Sequence, residues 1–174
     1  MSGIAYDLNK IKAVAFDVDG VLSPTVIPID ENGHPARMMN VKDGYALLQA
    51  IRNGIKIVII SGGSPDRVEK RFASLGVKDQ YYNTAHKLPL LREWMVKENI
   101  SPEEIAYMGD DIPDLQCMRE VALPCAPYDA SYEARETALY VSRFNGGYGC
   151  VRDILEQILR AKGVWNVSEK DFIW

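Results

Sequence analysis

Three short apolar runs, none alternating with polar residues, constrain this chain more than anything else in it. Residues 11–16, 55–60 and 105–108 are almost continuously apolar. Runs of that length without alternation predict strands buried on both faces of a parallel sheet. Residues 123–126 and 139–141 are shorter candidates of the same kind. Amphipathic stretches lie between them, and helices are expected over 45–52, 65–75, 88–97, 113–120, 131–137 and 151–161. Asp43 and Gly54 bracket the first of these; Ser64 and Pro65 suit the N-cap and first position of the second, with Gly76 past its end. Strand–helix alternation predicts a doubly wound, mostly parallel, Rossmann-like α/β sheet with right-handed crossovers. At 174 residues the chain fits a single domain over 1–174, and no internal repeat or linker divides it.

The residues that follow the runs carry the chemistry. The first run stops at Asp17-Val18-Asp19-Gly20, the second at Ser61-Gly62-Gly63, the third at Gly109-Asp110-Asp111 with Asp114 close behind. Lys87 opens a predicted helix. Ligands of α/β sheets sit outside the carboxyl ends of the strands, so these groups are expected in one crevice. Asp17 and Asp19 would point to the same side of an extended chain. With Asp110 nearby, bare carboxylates would repel and their pKa values rise. A hard divalent cation relieves that, and Mg²⁺ takes one or two carboxylates together with waters and phosphate oxygens.

Such a crevice suits phosphoryl transfer. A carboxylate attacks phosphorus without first losing a proton. A second acid can protonate the leaving alcohol and then activate water. The Ser61 hydroxyl and nearby N–H groups can bind phosphoryl oxygens, and Lys87 can bridge nucleophile and phosphate as a point charge. Singly, each group has a plainer explanation: a solvated turn for the acids, a helix cap for Ser61, a surface charge for Lys87. Their convergence on one sheet edge is what points to a site.

Charge and composition exclude other classes. A net charge of −4 and a pI near 5.2 argue against nucleic-acid and membrane-surface partners. Three widely spaced cysteines and two histidines suggest neither a disulfide framework nor a zinc site. The first residues lack a signal pattern and no run of 18 apolar residues exists, so the expected location is the cytoplasm.

Two segments stand apart. Residues 25–41 contain Asn32-Gly33, the signal for a type I′ hairpin, so a β-hairpin is expected to project between the first strand and the first helix. Val26, Ile27, Ile29, Met38 and Met39 give it more apolar surface than a lone hairpin should expose. Pairing with hairpins of other subunits would cover it; folding back on its own domain is the alternative. The tail over 163–174 holds Trp165, Phe172 and Trp174. It is expected to pack on its own subunit or to cover a neighbour's active site.

Asp17-Val18-Asp19-Gly20-Val21-Leu22, Ser61-Gly62, Lys87 and Gly109-Asp110-Asp111-Ile112-Pro113-Asp114 together resemble, in order and separation, the four motifs of the haloacid dehalogenase superfamily of phosphatases. That resemblance implies Asp17 as nucleophile and Asp19 as general acid/base, its backbone carbonyl also touching Mg²⁺. It implies Asp110 as a further metal ligand, Asp111 and Asp114 in support of the metal, Ser61 binding phosphate and Lys87 orienting it. Residues 23–42 are too few for a cap domain. With Asn40-Val41-Lys42-Asp43-Gly44, the helix through Arg71 and Gly146-Gly147-Tyr148-Gly149, the chain resembles the capless sugar-acid phosphatases over about residues 10–162. These imply a homotetramer assembled through the hairpin, a role in making lipopolysaccharide inner core, and 3-deoxy-D-manno-octulosonate 8-phosphate as the small-molecule substrate. Substrate contacts then fall on Asp19, Asn40, Val41, Lys42, Asp43, Gly44, Ser61, Gly62, Arg71 and Lys87. Gly63, Leu48 and Tyr148 stand where arginines are frequent in these enzymes. The alternatives are a nine-carbon keto sugar acid 9-phosphate as substrate, a non-catalytic tetramerisation module, or a phosphoacceptor signalling domain. Glutamate is usual at position 63 in the nine-carbon enzymes, and the intact Asp17, Asp19, Lys87, Asp110 set disfavours the module.

Overall fold

The computed structural model describes residues 3–65 and 67–173, with the Lys170 side chain left aside; Asp66 and Trp174 lie outside the described residues. Six strands form one sheet: β1 (Ala13–Phe16), β2 (Lys56–Ile60), β3 (Asp79–Tyr81), β4 (Ile105–Met108), β5 (Leu123–Ala126) and β6 (Tyr140–Val141). Their spatial order is β3-β2-β1-β4-β5-β6, and every neighbouring pair is parallel.

Both faces are covered, which is why β1 and β4 are buried at every residue. Val14 and Phe16 face α1 (Val41–Arg52), α2 (Val68–Ser74) and α6 (Cys150–Ala161), packing with Leu47, Phe72 and Ile154. Ala13 and Ala15 face the side of α3 (Lys87–Glu98), α4 (Leu115–Glu120) and α5 (Tyr132–Thr137), with Leu91, Trp94 and Met118. Each large apolar side chain so buried contributes roughly 1.5–3 kcal/mol before the entropy of ordering it is counted.

Element boundaries shift from expectation, and one strand comes unannounced. Helix α1 begins at Val41, because Asn40 caps it by accepting from the Lys42 N–H. Helix α2 begins only at Val68, and Ser64 does not cap it. The Ser64 carbonyl instead accepts from the Arg37 guanidinium, which holds residues 61–65 in a loop. Strand β3 has no apolar run to announce it, being a three-residue polar edge.

The hairpin is reduced to one antiparallel bridge, Ile29 with Pro35. Asp30 N–H donates to the His34 carbonyl at 2.8 Å and Ala36 N–H to the Pro28 carbonyl at 2.7 Å. Pro28 and Pro35 have no N–H to extend the ladder. Its turn is not type I′: Gly33 has φ +81° but Asn32 is not in the left-handed region. The Asp30 carboxylate replaces that geometry by accepting from the N–H groups of Asn32 and His34. Val26 and Ile29 remain 81% and 65% exposed.

The tail folds back on its own subunit. Trp165 is buried edge-on to Tyr45, Tyr45 donates its hydroxyl proton to the Asp171 carbonyl, and Arg52 donates to the Ile173 carbonyl. Phe172 stays exposed. Among the described residues no helix is long and apolar enough to cross a membrane.

Candidate active site

Parallel register brings the acids together. Phe16 pairs with Ile59 on one side and Met108 on the other, so the chain leaves β1, β2 and β4 along one edge. Asp17 N–H donates to the Met108 carbonyl at 3.1 Å, tying the β1 end to the β4 end.

Lys87, the first residue of α3, is buried and reaches in from below. Its Nζ lies 2.9 Å from Asp17 Oδ1 and 2.8 Å from Asp114 Oδ1. Tyr107 OH also donates to Asp114 Oδ1, at 2.7 Å, while Asp114 Oδ2 accepts from the Asp110 N–H at 3.2 Å. Asp114 therefore orients Lys87 and pins the loop that carries Asp110. The Asp110 carboxylate lies against Gly20, where a Cβ would come within 2.0 Å of Oδ2. Gly20 also has φ +89°, so glycine answers both the contact and the backbone there.

Carboxylate oxygens of Asp17, Asp110 and Asp114 lie within 4.8 Å of one another. Burial, then the charge of Asp114, pushes the Asp17 carboxyl up to about 7 against the pull of Lys87. Burial, then Asp17 and Asp114, pushes Asp110 up to about 8. For Lys87, burial favours the neutral amine, but Asp17 and Asp114 outweigh it and hold the ammonium. One cation thus serves three acids. The all-oxygen donor set and its excess negative charge fit Mg²⁺, with Asp17 and Asp110 the carboxylates left to hold it.

Among the described residues the Asp19 carboxylate is not part of that cluster of acids. Residues 17–20 are turned rather than extended: Gly20 N–H donates to the Ser23 carbonyl, and Asp19 bridges to Ser23. The Asp19 carboxylate meets Arg37 instead, Oδ1 accepting from Nε at 2.6 Å and Oδ2 from Nη2 at 2.8 Å. Sequence reasoning missed Arg37. The signal available was that it is the one Lys or Arg between Lys12 and Lys42.

The remaining candidates divide. Ser61 is buried at the end of β2, its Oγ accepting from the Gly63 N–H at 3.1 Å, with Gly62 between them. Asn40 donates through Nδ2 to the Gly147 carbonyl at 3.3 Å, and Gly147 N–H donates to the Val21 carbonyl at 2.7 Å. Asn40 is thereby joined to the acid loop through the Gly146-Gly147 segment. Val41 and Lys42 are exposed, and Asn40 and Lys42 line a cavity of about 650 Å³ with Arg143, Tyr148 and Arg152. Gly44 lies beside Arg71, whose Nη2 would be 3.3 Å from a Cβ there. Leu48 is half-buried. Asp43 points inward: its Oδ1 accepts from Arg152 N–H at 2.7 Å, capping α6, and burial raises its carboxyl to about 6. Asp111 is exposed at the rim.

No protein-family model matches the chain. The 3-deoxy-D-manno-octulosonate 8-phosphate phosphatase KdsC of Escherichia coli K12 is 38% identical over 155 residues, which is 89% of this chain and 82% of that protein. The crystal structure of the phosphatase of the same name from Moraxella catarrhalis, in complex with magnesium ion, phosphate ion and a KDO molecule, matches with TM-score 0.85 and 33% identity, covering 89% of each chain. A haloacid dehalogenase superfamily (subfamily III A) hydrolase from Legionella pneumophila matches with TM-score 0.86 and 32% identity, over 90% of this chain and 86% of that one.

Proposed function

The chain belongs to the 3-deoxy-D-manno-octulosonate 8-phosphate phosphatase family of the haloacid dehalogenase superfamily, and from that premise we propose how its residues divide the work. It is a Mg²⁺-dependent phosphoric monoester hydrolase that releases phosphate from this sugar-acid phosphate. The observation that carries the assignment of roles is Lys87, buried between Asp17 and Asp114 beside Asp110.

Asp17 is the nucleophile. One of its carboxylate oxygens attacks phosphorus while the bond from phosphorus to the sugar oxygen breaks. Asp19 gives a proton to that oxygen as it leaves, a contribution of order 10²–10⁴ in rate for a placed acid. Water then attacks the aspartyl-phosphate, passes its proton to Asp19, and frees Asp17 and phosphate. Ser61 and the Gly62 amide bind phosphoryl oxygens, and Lys87 keeps nucleophile and phosphoryl group aligned. Asp17, the Asp19 carbonyl and Asp110 would hold Mg²⁺, with Asp111 and Asp114 supporting them; bound there, it supplies charge neutralisation at the phosphoryl oxygens. Asn40, Val41, Lys42, Gly44 and Arg71 bind the sugar acid, Arg71 offering its carboxylate a planar fork. Asp43 serves that segment by fixing α1 against α6.

Exposed Val26, Ile29 and Met38 support assembly of four copies through the hairpin. A cytoplasmic step in lipopolysaccharide inner-core synthesis suits this substrate. The deciding measurement is kcat/KM across eight-carbon and nine-carbon keto sugar-acid phosphates and hexose phosphates, with Mg²⁺ present. The eight-carbon ester is expected to lead; a nine-carbon or hexose ester in front would overturn the substrate assignment.

A further inference from the structure

We propose that Arg37, carried in from the hairpin, is a positioning residue that aims the Asp19 carboxylate for proton transfer. The inference rests on the reading of Asp19 as the general acid/base.

Arg37 is on an otherwise exposed segment, yet its side chain is only 2% exposed because it runs down to the acid loop. Its donors are spent on protein. Nε and Nη2 hold the two Asp19 oxygens at 2.6 and 2.8 Å, and Nη1 donates to the Ser64 carbonyl at 3.0 Å. A two-point fork fixes the plane of a carboxylate as well as its position, which a lysine at the same place would not do. Among the described residues no other side chain donates to Asp19.

The room for this pair is made by Gly63. A Cβ there would fall 2.4 Å from Arg37 Nη2 and 3.1 Å from Asp19 Oδ2. The β2–α2 loop thus supplies the space, the Ser64 carbonyl supplies a third anchor, and the hairpin supplies the cation. Asp17 and Asp19, two residues apart, are each given a separate cation on a separate element: Lys87 from α3 and Arg37 from the hairpin. With its donors so engaged, Arg37 acts through Asp19 rather than on the substrate.

The test compares wild type, Arg37→Ala and Arg37→Lys on two esters, with Mg²⁺: the sugar-acid phosphate, whose alkoxide needs a proton to leave, and 4-nitrophenyl phosphate, whose leaving group does not. A misaimed acid should lower kcat and kcat/KM of Arg37→Ala on the sugar ester by roughly 10–100-fold with KM within about twofold. The kcat/KM on 4-nitrophenyl phosphate, which reports the steps through leaving-group departure, should change by no more than about threefold. Added methylguanidine should restore part of the lost rate in Arg37→Ala, and Arg37→Lys should fall between the two. Equal losses on both esters would overturn the proposal, since they would mean that the nucleophile or metal had moved. So would a raised KM with unchanged kcat, the mark of a substrate contact, or no change at all, the mark of a mere clasp. Should Arg37→Ala not fold, Arg37→Lys carries the same two-ester comparison. An Asp19→Asn control separates the two levels: wild-type turnover in it would sink the role of Asp19 itself.

Discussion

Replacing Lys87 with methionine tests whether one buried ammonium holds the acid cluster together. At 2.9 and 2.8 Å, its attractions to Asp17 and Asp114 are each about 6 kcal/mol at an effective dielectric of about 20, before desolvation is charged against them. Removing one partner from a buried ion pair costs about 3–5 kcal/mol net, because the uncompensated charge stays behind. For a domain of this size that lowers Tm by roughly 6–20 °C. The sign with pH follows from the carboxyls. Asp17 and Asp110 are raised above 3.8, so their contribution to stability is fully present below that value and lost as pH rises through about 7 and 8. Lys87 carries the same sign at higher pH: raised above its ordinary 10.5, its contribution is fully present throughout this range. The Lys87→Met deficit should therefore be largest near pH 8 and shrink towards pH 5 as the carboxyls take up protons. Thermal unfolding followed by circular dichroism in chelator, at both pH values, reads this directly. Saturating Mg²⁺ should recover part of the loss, since a second cation then serves the same oxygens. A variant that melts within about 2 °C of wild type at pH 8 without metal would refute the reasoning: the acids would then be solvated or neutral, and Lys87 would not be holding them.

Other outcomes follow from the same geometry. Asp17→Asn should reduce phosphate release by at least about 10³-fold while leaving fold and assembly intact; wild-type turnover in the purified variant would displace Asp17 as nucleophile. Chelation should abolish activity. Because Mg²⁺ must displace protons from carboxyls raised to about 7 and 8, its apparent affinity should climb between pH 6 and 8 with measurable proton release on binding. Isothermal titration in buffers of differing ionisation enthalpy would show it, and a pH-independent affinity would contradict the raised values. Gly146→Ala places a Cβ 1.8 Å from the Gly20 carbonyl oxygen, so it should displace the acid loop and cost activity and several degrees of Tm. An unaltered melting curve and rate would show that this loop is not held by that contact.

Where the sequence was explicit, the physics was local. The unalternating runs located β1, β2, β4 and β5 because burial on both faces leaves no polar position to confuse the pattern. Asp17, Lys87, Asp110 and Asp114 were legible because each sits at an element end whose place in a parallel sheet is fixed by register. What stayed hidden depended on tertiary paths. Strand β3 is polar and at the sheet edge, so Asp79 to Tyr81 carry no apolar signature. Asp19 was expected beside Asp17 on an extended chain, but the chain turns at Gly20 and the Asp19 carboxylate is held by Arg37 rather than joining the cluster of Asp17, Asp110 and Asp114. Arg37 itself has no motif; its meaning comes from Gly63, twenty-six positions later, leaving a space that only the folded loop reveals. Asp43 looked like a ligand by its neighbours and is an inward cap by its hydrogen bond to Arg152.

The separation of Asp17 and Asp19 onto cations from different elements has a consequence for how such a site can diversify. Asp17 and Lys87 are embedded in sheet and helix, where almost any replacement is felt throughout the core. Arg37 hangs from a surface segment whose one antiparallel bridge joins Ile29 and Pro35. A lineage can lengthen, shorten or restyle that segment without rebuilding the buried half, and so explore new leaving groups while phosphorus continues to meet the same nucleophile. Drift at the hairpin is then the cheap direction of change, and drift beneath it is closed.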